Sequence, residues 1–183
     1  MISKNANIGK IIADAYSGEI GTALRNMLPD SDKSARPGFP GEKHAILKLP
    51  NKKYGVANWL GPHTQVVKRL ERQDPPRTVA DLVAERHDID YALAKESKTK
   101  AEQLKKVREA DKRMVLSLKK IKKEGFDDPK NIFIGMRFIQ AKILAEDLMV
   151  LDKSRFAGEI GKVEPKDKAI LLRNRALLEK LGY

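Results

Sequence analysis

From Trp59 onward the apolar positions recur at steps of three and four, and that period divides the second two thirds of the chain into helices. In DPPRTVADLVAERHDIDYALAKES, two prolines and Thr78 as an N-cap precede helical periodicity to about Ala94. A second helix is expected from about Lys100 to Lys123, stopping at Gly125. NIFIGMRFIQAKILAEDLMVL predicts a third, apolar helix, and KDKAILLRNRALLEKLGY a short amphipathic one ended by Gly182. Before Trp59 the pattern loosens. Ile8 to Leu28 places Ile11, Ile12, Ala15, Ile20, Ala23, Leu24 and Leu28 at helix-like spacing, but Gly18 and Gly21 interrupt it, so a broken amphipathic segment is expected. Pro29 to Lys43 is dense in Pro, Gly, Ser and charge and reads as a flexible linker. AILKLPNKKYG reads as a short extended piece. SGEIG at Ser17 and AGEIG at Ala157 are alike, but five residues do not make a repeat architecture. The division expected is an N-terminal extension over 1–50, a helical domain over 51–151 and a helical extension over 152–183.

The period also exposes two residues that do not belong to an apolar stripe. On the first helix Ala80, Ala84, His87, Tyr91 and Ala94 share one stripe beside the bulkier Val79, Leu82, Val83 and Leu93, so small alanines leave room for an imidazole. On the second, Leu104, Val107, Asp111, Met114, Leu118 and Ile121 step by three and four throughout, which puts a carboxylate at a core position. A buried carboxylate is costly unless a donor meets it. With the turn centred near Thr99, His87 lies 12 residues before it and Asp111 12 after it, level with each other in an antiparallel pair. An Asp111 to His87 hydrogen bond then fixes the imidazole tautomer and leaves the other ring nitrogen facing the alanine-lined space, the arrangement of a histidine that activates water.

Asp88 projects about 100° around the helix from His87 and cannot share its partner. Pointing at an oxygen-rich loop, it suits a calcium ion, which takes carboxylate and backbone carbonyl ligands. NWLGPHTQ, Asn58 to Gln65, is the candidate loop, since Gly61 and Pro62 force a sharp bend in which carbonyls converge. The bland reading stands beside this one: a His-Asp pair on a helix is more often solvated surface, and Tyr91 more often packs than reacts. His44 and His63 have no comparable counterpart, and neither imidazole is assigned a role.

Composition changes the picture in three ways. An aromatic fraction of 5% makes any core mostly aliphatic. Lys and Arg number 37 against 25 Asp and Glu, a net charge of +12 that favours an anionic partner, nucleic acid or an acidic membrane face. The absence of cysteine rules out disulfides and thiolate zinc sites. No apolar run reaches the roughly 20 residues of a membrane span and no signal-peptide core opens the chain, so a soluble protein is expected.

Four motifs in order resemble the phospholipase A2 domain in the unique N-terminal region of parvovirus minor capsid proteins, a family related to secreted phospholipase A2 without its disulfides. WLGPHTQ stands where that family has a calcium loop of the form Tyr-Leu-Gly-Pro-x-Asn. VADLVAERHDIDYALA is similar to its Asp-x-x-Ala-x-x-His-Asp-x-x-Tyr helix, READKRMV to the start of its second helix, and IGMRFIQAKILAE to a later helix with a Phe-x-x-Ala-Lys core. The resemblance covers about Tyr54 to Glu146. It implies a mainly α fold in which two long antiparallel helices carry the site, with a calcium loop before them and a third helix packed across. It also implies calcium-dependent hydrolysis of the sn-2 ester of phospholipids. His87 would be the general base, Asp111 its orienting partner, Tyr91 a hydrogen-bonding support and Asp88 the calcium carboxylate. Carbonyls of Trp59, Gly61 and His63 would complete the metal site, and the Gly61 amide would help hold the oxyanion. The chain departs from the family pattern at Trp59 for tyrosine, His63 for glycine, where a positive φ would strain a histidine, and Thr64 for asparagine. VVKRLERQDPP also lacks the family's Gly and Asn punctuation.

The implied setting is a virion: a capsid-associated protein, in company with capsid proteins, that breaches an endosomal membrane during entry, with phospholipid surface as substrate. The alternative is a basic structural protein on the same scaffold, bridging capsid and nucleic acid. A plain nucleic-acid binder rests on charge alone.

Overall fold

The computed structural model describes residues 36–147 and 163–182 of the chain. The Ile8 to Leu28 segment and both five-residue look-alikes lie outside them. Among the described residues the architecture is mainly helical: strands β1 (Ile46–Lys48) and β2 (Tyr54–Val56), then helices α1 (Val66–Arg72), α2 (Val79–Ala94), α3 (Lys100–Glu124), α4 (Pro129–Asp147) and α5 (Pro165–Lys180). No helix among them is long and apolar enough to cross a membrane.

The helix ends are where local chemistry puts them. Thr78 caps α2 by accepting the Asp81 amide at 3.2 Å, and Thr99 caps α3 by accepting that of Glu102 at 3.1 Å. Glu102 reaches back to the Lys98 amide at 3.0 Å, which saturates a second donor at the same turn. Gly125 ends α3 in the left-handed conformation, φ 71°, as the sequence predicts, and Pro129 and Pro165 start α4 and α5. Helix α1 has no counterpart among the elements that periodicity predicts. Its seven residues, VVKRLER, are too short to show a period, and it stops at Gln73 with φ 59°.

The expected extended piece is a hairpin, with Ile46 paired to Val56 and Lys48 to Tyr54. It is bolted to α4 through Asn131, which is fully buried. That side chain accepts the Lys48 amide and donates to the Lys48 carbonyl, both at 2.7 Å, in place of a third strand. Helices α2 and α3 fold back on each other, α4 packs on α3, and α5 lies against α1 and α2. One aliphatic core results, built around Leu47, Trp59, Ile89, Leu118, Ile132, Leu171 and Leu178. Leu47 and Leu171 fall in the two extensions of the expected division, yet they share the core of the 51–151 domain.

The linker reading of Pro29 to Lys43 needs correcting at its end. The Glu42 side chain is fully buried and forks onto Arg69 of α1 at 3.0 and 2.7 Å, while Asp74 takes the third side of the same guanidinium at 2.9 Å. Burial alone would raise the Glu42 pKa, but Arg69 and the Gln65 and Phe39 amides bring it down to about 2. Composition favours a loose stretch here, and a buried charge pair 27 residues apart overrides it.

Residues 43–45 run along the loop 57–62 so closely that a Cβ on Gly61 would sit 2.0 Å from the Lys43 carbonyl oxygen. Backbone cannot yield there as a flexible side chain can. Gly61→Ala is expected to lower unfolding free energy by more than about 2 kcal/mol in urea denaturation; an unchanged midpoint would show that the two segments are not in register.

Candidate active site

The loop between β2 and α1 is shaped by one carboxylate. Asp81, fully buried on the first turn of α2, accepts the amides of Asn58 at 3.0 Å, Trp59 at 2.9 Å, Leu60 at 2.7 Å and Arg77 at 3.0 Å. On the other edge, the carbonyls of Leu60 and Pro62 accept the amides of Ala45 at 2.8 Å and Lys43 at 3.2 Å. The alternate carbonyls, of Trp59 and Gly61, are left for the third side. They converge on the hydroxyl of Thr64, at 3.3 and 3.2 Å. His63 takes φ 67°, so the positive φ that the resemblance implies at this position is present, in a residue with a Cβ. Its carbonyl is not one of the two that Thr64 bridges.

Asp88 stands opposite this pair, two helical turns beyond Asp81. Its Oδ2 is buried and has no hydrogen-bond partner among the described residues, and its Oδ1 lies 3.2 Å from Nδ1 of His87. Burial raises the Asp88 pKa, and His87 and Thr64 only partly counter it. One hydroxyl proton cannot serve two carbonyls and a carboxylate. The cluster therefore holds more acceptors than donors, all of them oxygen, which is the donor set of a calcium ion. Trp59, Gly61 and Asp88 fit such an ion. Among the described residues no three His, Cys, Asp or Glu side chains group around a metal, so a cation here would depend on backbone oxygens.

The level pairing of the two long helices is present. His87 Nε2 is 3.0 Å from Oδ1 of the fully buried Asp111, and Tyr91 donates its hydroxyl to the same oxygen. The rings of His87 and Tyr91 are 4.2 Å apart at their centroids. The second ring nitrogen differs from expectation: Nδ1 meets Asp88 rather than open space, because the 100° between adjacent residues is within reach of a short carboxylate. Burial works to lower the His87 pKa, yet the bonds to Asp111 and Asp88 outweigh it and leave it at about 9. At that value the imidazolium is favoured at neutral pH.

Beside the imidazole lies a cavity of about 760 Å³, large enough for a substantial apolar ligand. Its floor is His87, Asp88, Ala84 and Tyr91, and its walls are Trp59, Leu60, Pro62, Val66, Met114, Phe138 and Ile139. Ala84 is one of the stripe alanines, and its single methyl group keeps the space next to the ring open.

Four contributors have little or no signature in the sequence. Asp81 looks like an ordinary first-turn acid, and only the tertiary structure shows what it accepts. Thr64 stands out only as a departure from the family's loop, not as a group that meets carbonyls. Lys142 of α4 donates to Asp111 Oδ2 at 2.6 Å; its place in the Phe-x-x-Ala-Lys stretch is the available signal. Glu85, between Asp81 and Asp88 on α2, is only 8% exposed and receives no hydrogen bond from a described residue. Burial and the neighbouring Asp81 and Asp88 push its pKa to about 8. His44, given no role, is buried against Arg69 at 3.0 Å, and burial and that cation lower its pKa. Comparison of the chain with known protein families, curated proteins and solved structures finds no match.

Glu85 makes a prediction with a sign. Its folded pKa of about 8 lies above the ordinary 4.5, so the folded protein holds this proton more tightly than the unfolded chain, and stability falls as pH rises from about 4.5 to about 8. The loss is on the order of a few kcal/mol. Glu85→Gln should match the unmodified protein near pH 5 and exceed it near pH 8 in urea denaturation; parallel pH profiles would mean that Glu85 ionises freely.

Proposed function

We propose that this protein is a calcium-dependent phospholipase A2 that hydrolyses the sn-2 ester of phospholipids. The observation that carries the reading is the surplus of oxygen acceptors at Trp59, Gly61 and Asp88, set in one cavity with a histidine that is backed by the buried Asp111. The four sequence motifs support it independently. They extend the reading to a capsid-associated enzyme that opens an endosomal membrane during entry.

In this mechanism the neutral His87 removes a proton from water at Nδ1 while Nε2–H donates to Asp111. Asp111 holds the ring in that tautomer and stabilises the imidazolium, as the carboxylate of a catalytic triad does. Trp59, Gly61 and Asp88 would hold a calcium ion, which would supply positive charge to the ester carbonyl, and Asp88 so engaged would no longer compete for Nδ1. The Gly61 amide, which no described residue takes up, is a donor for the developing oxyanion. The apolar walls take the acyl chain, and the imidazolium returns its proton to the leaving alkoxide.

A second reading has an observation of its own. Both nitrogens of His87 are engaged by carboxylates and the Thr64 hydroxyl fills the point where the Trp59 and Gly61 carbonyls meet, so these groups serve packing as they stand. A basic structural protein that bridges capsid and nucleic acid would keep this packing without turnover.

Mixed phospholipid vesicles separate the two. The enzyme is expected to release fatty acid with calcium and not with chelator, and His87→Ala to lower the rate roughly 10²–10⁴-fold with helical circular dichroism retained. Calcium-independent release, or none at all, would reject the reading.

The metal site has a readout apart from turnover, since Trp59 is the only tryptophan and its own carbonyl is a proposed ligand. Terbium, a calcium substitute, should luminesce when excited through Trp59, and calcium should quench that signal by competition. Asp88→Asn is expected to weaken terbium binding at least about tenfold, because it removes the one charged ligand. Equal binding by both proteins would move the ion elsewhere.

A further inference from the structure

Asp111 has two oxygens with different duties. Oδ1 accepts from His87 Nε2 at 3.0 Å and from the Tyr91 hydroxyl, while Oδ2 accepts from Lys142 Nζ at 2.6 Å. The lysine comes from a third helix. Its side chain is 11% exposed, that of Asp111 not at all, and its Nζ lies 5.0 Å from the centre of the Tyr91 ring. Reach is provided by Gly135. A Cβ there would meet Leu118 at 3.1 Å, so the bare backbone lets α4 lie close to α3 at that point. Leu118 is seven residues after Asp111 and Gly135 seven before Lys142, so the two contacts belong to one antiparallel seam, two turns apart.

We propose that Lys142 is a positioning residue for the histidine–aspartate pair, clamping Asp111 Oδ2 so that Oδ1 stays on Nε2 of His87. The inference rests on the hydrolase reading above. The last torsion of an aspartate is broad, so bonds on one oxygen alone leave the carboxylate plane loosely held. A charge-assisted bond on the other oxygen fixes it. The lysine also balances the buried negative charge, which would otherwise raise the tendency of Asp111 to take the proton that His87 must hold. Its ammonium is thereby committed inward, to the carboxylate rather than to a substrate phosphate, although its stem lines the cavity.

A double-mutant cycle tests this role. Lys142→Met keeps the length and apolar stem of the side chain and removes the donor. It should lower kcat about 10–100-fold, the usual effect of losing a group that orients a catalytic ligand, with KM little changed. Combined with Asp111→Asn, the same change should cost less than about twofold more, because a clamp without its carboxylate has nothing to act on. Equal losses in both backgrounds, or a raised KM, would overturn the proposal and make Lys142 a direct substrate contact. Thermal unfolding of the same four proteins keeps the outcomes apart from failure of the hydrolase reading. Lys142→Met should lower Tm when Asp111 is present and not in the Asp111→Asn background. Absence of that coupling removes the clamp itself. Coupling in Tm with no hydrolysis by the unmodified protein overturns the catalytic role and the hydrolase reading together.

Discussion

Everything at the site depends on Asp81 accepting four backbone amides. A loop that bends as sharply as Asn58 to Thr64 leaves its N–H groups without ladder partners, and buried donors need acceptors. One carboxylate meets three consecutive amides of the loop and a fourth from the turn before α2. The loop is thereby fixed to the same helix that carries His87 and Asp88. Since Asp81 and Asp88 are seven residues apart, they lie on nearly the same side of α2, and the carbonyls that face away from the β1 segment come to rest over the second of them. The positions of the Trp59 and Gly61 carbonyls relative to Asp88 are set by a residue that touches neither His87 nor Asp111.

Five acids on α2 and α3 lie in or near the protein interior, and each has a different environment. Asp81 is neutralised by backbone dipoles. Asp90 is surrounded by Arg86, Arg113 and Arg175, which tie α2 to α3 and α5. Asp111 shares three side-chain donors. Asp88 has more acceptor capacity than donors, and Glu85 has no donor among the described residues. Where partners are complete, a buried charge serves structure. Where they are incomplete, burial raises the carboxyl pKa, as at Glu85 and Asp88.

Much of this is legible in the chain. The period, the Thr78 cap and the Gly125 stop place α2 and α3 to within a residue or two, and counting from Thr99 pairs His87 with Asp111. That works because two helices joined by a tight turn leave little freedom in register. The same reasoning does not reach Lys142, since α4 approaches α3 at an angle and distance that depend on Gly135 and Leu118 rather than on a turn. Nor does it reach Asp81, whose partners are backbone amides and therefore carry no side-chain signature. By its place on an apolar stripe Asp111 needs one donor, and the fold gives it three. Residues 36–43 read as loose because Glu42 and Arg69 lie 27 positions apart and nothing local joins them. Long-range electrostatics is where pattern reading ends.

Helix α5 adds a temporal consequence. Its Leu171 and Leu178 are buried in the common core, and Glu179 and Arg175 bind Arg86, the residue next to His87, across as many as 93 positions. Contacts of such separation form late, and on the ribosome they cannot form until α5 has emerged. Until then the back of α2 remains uncovered, with Arg86 lacking part of its set of partners. A nascent chain long enough to contain every candidate ligand would still lack the packing that holds their helix in place. The packing of the segment between Trp59 and Lys142 is thus completed only after synthesis has passed residue 180.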